Sequence, residues 1–249
     1  MGLRVIGGEW RGRRLLAPAG RGTRPTSDRV REAIFDILGS LALSGRLPPA
    51  VDTAPRSCPV PGEAADDSDR GLTPADAADC RGGPREAAGQ LAGCTVVELF
   101  AGSGALGIEA LSRGADSCVF VESGAAPLRA LRENLRALDV PPARARVAPR
   151  EAGSALEDEI AAGRRYTLLL ADPPYADLER HQALLARTLP LVLEPGGLAV
   201  VESARRAEPR VPLVTLVSRT YGDTRVTVLC NERSRAAAGR EDTATCPTG

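Results

Sequence analysis

The chain has no lysine at all and a single histidine, His181. All 32 of its basic side chains are arginine, which reads first as GC-rich coding bias and only second as a chemical choice. Cysteine is present six times (58, 80, 94, 118, 230, 246) but never as a C-x-x-C pair. With one histidine and no paired thiols, no metal site is expected. No apolar run approaches the ~18 residues of a membrane span, and the first residues lack the apolar stretch of a signal peptide. These absences point to a cytoplasmic protein with no membrane association, its thiols free and Cys94 and Cys118 packed in strands.

What is present is enough to fold. The hydrophobic fraction is 43%, and the runs 96–100, 168–170 and 198–201 can build a core. The zero net charge conceals an uneven distribution, because residues 1–32 carry eight arginines against Glu9, Asp28 and Glu32. Residues 49–93 stand apart: twelve of the 45 are Gly or Pro and eight are acidic. A segment of that composition cannot bury enough apolar surface to offset its ordering entropy, so it is expected to be a disordered insertion. Residues 233–249 are expected to be a disordered tail on the same grounds. That leaves a short N-terminal appendage over 1–48 and one domain over 94–232.

From residue 94 onward, β-type runs alternate with helical periods, the pattern of a mostly parallel sheet covered on both faces. Strands are predicted near 95–100, 117–122, 145–148, 166–171 and 198–203, with crossover helices near 105–113, 125–138, 152–162 and 177–192. Two further strands, near 212–219 and 224–230, are joined at Gly222 and Asp223 as an antiparallel hairpin. Upstream, Thr26 or Ser27 can cap a helix over 28–38.

Two motifs carry chemistry. In Val97-Glu98-Leu99-Phe100-Ala101-Gly102-Ser103-Gly104-Ala105-Leu106-Gly107 a buried strand runs into a G-x-G-x-x-G loop that opens a helix. Gly102 and Gly104 let the backbone approach a nucleotide-like ligand, and Gly107 lets the helix sit close to the strand. Glu122, at the end of the next strand, is placed to accept hydrogen bonds from a ribose diol. Alone, this fits a nicotinamide-dependent oxidoreductase equally well. The second motif decides between them: Asp172-Pro173-Pro174-Tyr175 falls at the carboxyl end of the fourth strand, where open α/β sheets bind ligands.

An exocyclic base amine is a poor nucleophile because its lone pair is delocalised into the ring. If Asp172 and the carbonyl of Pro173 each accept one N–H, the developing lone pair is aimed at an electrophile. The prolines stiffen that carbonyl, and Tyr175 offers a face for a base drawn from its stack. Such a transfer needs positioning more than a strong general base, which suits a chain with one histidine.

The ordered pair of glycine loop and Asp-Pro-Pro-Tyr resembles the class I methyltransferases that modify base amino groups. The opening Arg4-Val5-Ile6-Gly7-Gly8-Glu9-Trp10-Arg11-Gly12-Arg13-Arg14-Leu15, followed by Arg24-Pro25-Thr26-Ser27-Asp28-Arg29-Val30-Arg31-Glu32 and Phe35, is similar to the RsmD family of 16S rRNA guanine-N2 methyltransferases. The resemblance spans about 3–48 and 94–231. It implies a Rossmann-like α/β fold with a seven-stranded, mostly parallel sheet and a small N-terminal hairpin. It implies S-adenosyl-L-methionine as cofactor, held by Glu98, Gly102, Gly104 and Glu122, with Arg24 or Thr26 meeting the cofactor carboxylate. Glu151 stands where relatives bind the adenine amine, although the local sequence departs from their Asp or Asn. Asp172, Pro173 and Tyr175 become the reaction centre. The implied partner is 16S rRNA within the 30S subunit or an assembly intermediate, approached by a monomer.

Independently of the family, Arg11, Arg13 and Arg14 beside Trp10 form a basic ribbon that could grip phosphates while the indole stacks on a base. His181 and the arginine pairs 164/165 and 205/206 read as solvated surface. The tetrapeptide reports an amine without saying which base bears it, so adenine-N6 or cytosine-N4 transfer on DNA or RNA stays open, as does an inactive binding module that kept the fold.

Overall fold

The computed structural model describes residues 2–18, 27–47, 89–174 and 178–232. After α1 (Asp28–Leu43), strands and helices alternate: β1 (Thr95–Leu99), α2 (Ala105–Ser112), β2 (Ser117–Val121), α3 (Ala125–Ala137), β3 (Ala145–Ala148), α4 (Ala152–Ala161), β4 (Tyr166–Ala171), α5 (Leu178–Val192) and β5 (Leu193–Ala204). The chain closes with β6 (Val214–Tyr221) and β7 (Thr224–Cys230).

The seven strands lie in the order β3-β2-β1-β4-β5-β7-β6, parallel from β3 to β5 with β7 and β6 antiparallel. This is the expected Rossmann-like sheet with its terminal hairpin. β1 leads outward to β2 on one side, and β4 continues on the other, so the topological switch lies between β1 and β4. Ligands bind at the carboxyl edge there.

β1 and β4 are buried on both faces, which is why they read as unbroken apolar runs rather than alternating ones. Each face has its own apolar cluster. Val96, Cys118, Phe120, Leu168, Leu170 and Val228 face α1 and α2, while Val97, Leu99, Leu169, Val201 and Leu229 face α4 and α5. Both Cys94 and Cys118 are buried free thiols, although Cys94 falls one residue before β1.

Helix α1 packs into the first cluster through Val30, Ile34, Phe35 and Leu38, so the N-terminal part shares one core with the sheet. Ser27 caps it by accepting from Val30 N. The helix runs five residues past the expected end at 38. Its stop is a Schellman arrangement in which Gly45, at φ 70°, donates to Ala42 O while Arg46 donates to Leu41 O. Gly39, which looks like a terminator in sequence, lies inside the helix, where a Cβ would come within 2.8 Å of Gln90 Nε2.

The proximity of Gln90 exposes a misplaced boundary. Residues 89–93, expected to belong to the polar insertion, are packed. Leu91 is 1% exposed and donates its N–H to Arg113 O, and Gln90 Oε1 accepts from Arg113 Nη1. A single buried leucine and one tight turn outweigh the segment's polar average. The rest of that segment, 49–88, and the segment 233–249 lie outside the described residues.

The N-terminal hairpin closes through Val5 N to Arg13 O, Gly12 N to Val5 O and the Arg4–Arg14 bridge. It is bolted onto α2 and α3. Glu109, fully buried, accepts from Ile6 N (2.7 Å), Gly7 N (2.8 Å) and Arg113 Nε (2.8 Å). Ser112 Oγ accepts from Trp10 N and donates to Gly7 O. The buried Arg31 ties hairpin to helix, its Nη2 donating to Arg4 O and Asp28 Oδ1.

Candidate active site

The glycine loop is built from beneath by Glu98. Its side chain is almost fully buried, and its two oxygens accept from Leu106 N (3.3 Å) and Gly107 N (3.1 Å), the first N–H groups of α2. Burial pushes its carboxyl up to about 8, against the lowering effect of those two bonds, with Asp172 and Glu122 adding like-charge repulsion. Residue type and position suggest Glu98 as a cofactor ligand. Its oxygens face the backbone under the loop, so the bonds it makes in this structure shape the loop.

The close approach of α2 depends on Gly107, where a Cβ would lie 2.5 Å from Phe120 Cε1 and 2.7 Å from Cys118 Sγ. Gly104 caps the helix at φ 79°, and Gly102 turns at φ 56° with only Phe100 O near its open side. Among the described residues, nothing else crowds the open side of Gly102.

Glu122, at the carboxyl end of β2, crosses to the same loop. Oε2 accepts from Gly102 N (2.8 Å), and Oε1 accepts from Ser123 N (2.9 Å) and Gly124 N (2.7 Å). Three of roughly four acceptor positions of a carboxylate are thus taken. The remaining one, next to Gly102, is placed for a hydroxyl donor. Glu151 is the exposed N-cap residue of α4 and makes no side-chain capping bond, so its carboxylate stays at the rim of the carboxyl edge.

Asp172 and Pro173 follow β4 directly. Leu99 pairs with Ala171, so Asp172 emerges beside Phe100 across the switch between β1 and β4. Asp172 is half-buried, Pro173 buried and Pro174 exposed. Tyr175, Arg24 and Thr26 lie outside the described residues.

Phe100 itself has φ 57°, a left-handed conformation costing a bulky residue on the order of 1–3 kcal/mol and met mostly where function over-determines the backbone. Its ring packs on His181 from α5, with centroids 5.0 Å apart at 51°. No local signal marks His181, which reads as solvated surface, as a residue that reaches the site. Strain at Phe100 is equally invisible in sequence, because nothing in the residue type announces it.

The basic ribbon fares differently. Trp10 is only 8% exposed, bound at its N–H by Ser112 and overlain by Arg144 at 5.8 Å from the ring centroid. The indole is core and has no face to offer a base, which corrects its assignment as a stacking residue. Arg11, Arg13 and Arg14 are exposed. Arg13 Nη2 donates to Ala137 O (2.5 Å) at the C-terminus of α3, and Glu9 pairs with Arg144 just before β3. Both partners sit at the amino edge of the sheet, so the hairpin tip is at the opposite end from Asp172. The chain then climbs back: Leu16 exchanges two hydrogen bonds with Asn134, whose Nδ2 also donates to Ser103 O in the glycine loop.

A glycine loop on β1, a carboxylate on β2 and Asp-Pro-Pro on β4, all at one switch point, form an arrangement that comparison with known proteins assigns to a family. The family model described as Conserved hypothetical protein 95 matches residues 3–65 and 85–230. The Ribosomal RNA small subunit methyltransferase D of Escherichia coli (strain K12) is 32% identical over 197 residues, 79% of this chain and 70% of that protein. The chain belongs to the RsmD family of rRNA methyltransferases. Bacillus subtilis YlbH, described as a candidate rRNA methyltransferase, is 31% identical over 91% of this chain and 97% of its own length. Among solved structures, the Escherichia coli protein yhhF, a candidate methyltransferase, superposes with a TM-score of 0.62 at 28% identity, covering 92% of this chain and 98% of its own. Family membership makes this chain a methyltransferase, and the fold on which its RsmD-type site is built is the family's own.

Proposed function

We propose that the protein transfers a methyl group from S-adenosyl-L-methionine to the exocyclic N2 amine of a guanine in 16S rRNA of the small ribosomal subunit. The observation that carries this reading is the placement of Asp172 and Pro173 one strand from the glycine loop, at the carboxyl edge of the switch point. A carboxylate and a carbonyl there can hold an amine against whatever the glycine loop binds. A dehydrogenase has no use for that pair.

The residues present fit the cofactor. Gly102 leaves open space, Glu122 keeps an acceptor position beside it, and Glu151 stands at the rim with its carboxylate uncommitted to a cap. When bound, S-adenosylmethionine supplies an electrophilic methyl group on a sulfonium. Asp172 accepts one amine N–H, and the Pro173 carbonyl accepts the other, which fixes the nitrogen and restores its lone-pair density. As the N–C bond forms and the C–S bond of the sulfonium breaks to leave a neutral thioether, the Asp172 carboxylate offsets the positive charge developing on the nitrogen, and the amine proton it holds is then released through it to water. Tyr175, the last residue of the motif, completes the site as a stacking face. Arg24 or Thr26 is the group that the family resemblance assigns to the cofactor carboxylate. Small-subunit rRNA as substrate is supported by the names of the relatives, and guanine-N2 by the family resemblance of the N-terminal sequence rather than by the chemistry of the tetrapeptide.

The test is transfer of radiolabelled methyl from S-adenosylmethionine to 30S subunits whose 16S rRNA lacks this modification, with the product nucleoside identified by mass spectrometry. N2-methylguanosine is expected. Label recovered as methyladenine or methylcytosine, or only on DNA, would keep the role of Asp172 and discard the guanine assignment. In the same assay Asp172→Ala should lower the rate by about 10²- to 10³-fold, the usual cost of one charge-stabilising group, while cofactor binding by calorimetry stays within a few-fold of wild type.

A further inference from the structure

The reaction edge of the sheet is not level. Ala171, the last residue of β4, pairs with Val201, yet β5 continues to Ala204, still paired with Thr224 of β7. The β5-β7-β6 ladder therefore extends three residues beyond the end of β4, roughly 10 Å at ~3.3 Å per residue. Its crest carries Arg205 and Arg206, both exposed, and the exposed Arg219 lies lower on β6, level with Glu202 through Val226. Residues 204–225 hold five arginines against Glu208 and Asp223, a local net charge of +3.

The crest is also fixed in place. Arg205 N donates to Asp223 O (2.8 Å), Ala207 N to Ala204 O (2.8 Å) and Ser203 Oγ to Ala207 O (2.7 Å). Arg225, paired with Glu208 and Ser218, donates from Nε to Arg205 O (3.1 Å) and so braces the loop with its own charge already engaged. Val211 and Leu213 pack on the apolar cluster below. Arg205 and Arg206 thus project into solvent from a braced backbone at the end of the strand next to β4, with Arg219 exposed two strands further out.

We infer that this ridge binds the phosphates of the RNA strand that carries the target base. The inference rests on the reading of the site as an RNA methyltransferase. A nucleotide placed at Asp172 brings its neighbours' phosphates to within one or two nucleotide lengths of the ridge. The backbone that carries the arginines is already ordered, so gripping a phosphate costs side-chain entropy alone, and each guanidinium can take a phosphate bidentately. The hairpin arginines cannot play this part, because their tip lies at the far edge of the sheet.

The experiment compares wild type with Arg205→Ala/Arg206→Ala/Arg219→Ala, Arg205→Lys/Arg206→Lys/Arg219→Lys and, as a control, Arg187→Ala on α5, whose side chain pairs with Glu157. Steady-state methylation of 30S subunits and salt-dependent filter binding of the same subunits are read together. The alanine variant should raise KM for 30S at least ten-fold with kcat within two-fold, and should flatten the slope of log affinity against log salt by about 0.7–0.9 for each phosphate no longer neutralised. The lysine variant should recover most of both, and Arg187→Ala should change neither. An alanine variant with wild-type KM and salt slope, while wild type methylates 30S, overturns the ridge and leaves the function standing. Should the triple alanine variant fail to fold, Arg206→Ala and Arg219→Ala are read singly: a raised KM with a flatter salt slope supports the ridge, and wild-type values in both overturn it. Wild type that neither methylates nor binds 30S overturns both readings.

Discussion

A carboxyl group buried under a loop has to choose between a desolvated charge and a forfeited acceptor, and Glu98 shows which way it goes. Its folded-state value of about 8 exceeds the unfolded 4.5 because burial penalises the anion more than two backbone bonds favour it. Below 4.5 both states hold the proton, and the group's contribution to stability is fully present. As pH rises from 4.5 through about 8, the unfolded chain ionises first and that contribution is lost. Glu98→Gln cannot ionise and should lack this dependence. Thermal denaturation of both proteins from pH 5 to 9 should show wild type losing stability relative to the variant, and parallel curves would disprove the account. At this scale the sequence reveals residue type and position, which is enough to put Asp172 and Glu122 at the carboxyl edge of the sheet. It does not reveal which way a side chain faces. Glu98 and Trp10 are both of types that suit a ligand, yet both are turned inward by neighbours more than a hundred positions away or across a helix turn: Ser112 for Trp10, the α2 N-terminus for Glu98.

At the level of elements, periodicity is a good guide because the core strands are buried on both faces and the helices on one. β3, β4 and β7 fall where the apolar pattern predicts them. The departures arise where a tertiary contact overrides a local signal. Gly39 is accommodated inside α1 by Gln90, and β5 begins at Leu193 rather than near 198 because Leu193 pairs with Tyr166 ahead of a register shift. The docking of the N-terminal hairpin is the least legible feature, since its anchors Glu109, Ser112 and Asn134 are polar residues hidden on the buried faces of α2 and α3. Its tightest point is Gly8, at φ 76°, where a Cβ would fall 1.9 Å from Ser112 O. Gly8→Ala combines a left-handed penalty of about 1–2 kcal/mol with a backbone clash that must be relieved by lifting the hairpin. Two consequences are expected: a fall in stability of at least about 2 kcal/mol by denaturant unfolding, and faster proteolysis between residues 2 and 18. A variant as stable and as resistant as wild type would show that the hairpin is not held at this point.

For the molecule as a whole, the sheet separates two basic surfaces. The ridge stands above the carboxyl edge, while Arg11 and Arg13 sit at the amino edge, where α3 ends and β3 begins. The strands between are five to six residues long, so the two lie on the order of 20 Å apart before side chains and loops are added. An RNA seated at Asp172 must therefore pass round the side of the sheet to reach the hairpin, which a stem-loop confined to the target base and its neighbours is not expected to do. A folded subunit does, and screening over a Debye length of about 8 Å at physiological salt means that the hairpin arginines act only on phosphates they directly face. Arg11→Ala/Arg13→Ala should therefore raise KM for 30S subunits several-fold and reduce the salt slope by about 1–2. The same variant should bind a stem-loop of ten or so nucleotides, containing only the target base and its neighbours, as wild type does. Equal weakening on both substrates would mean that the hairpin swings to the reaction edge when RNA binds. No weakening on either would make the hairpin a structural brace, which the bonds from Glu109 and Asn134 already show it able to be.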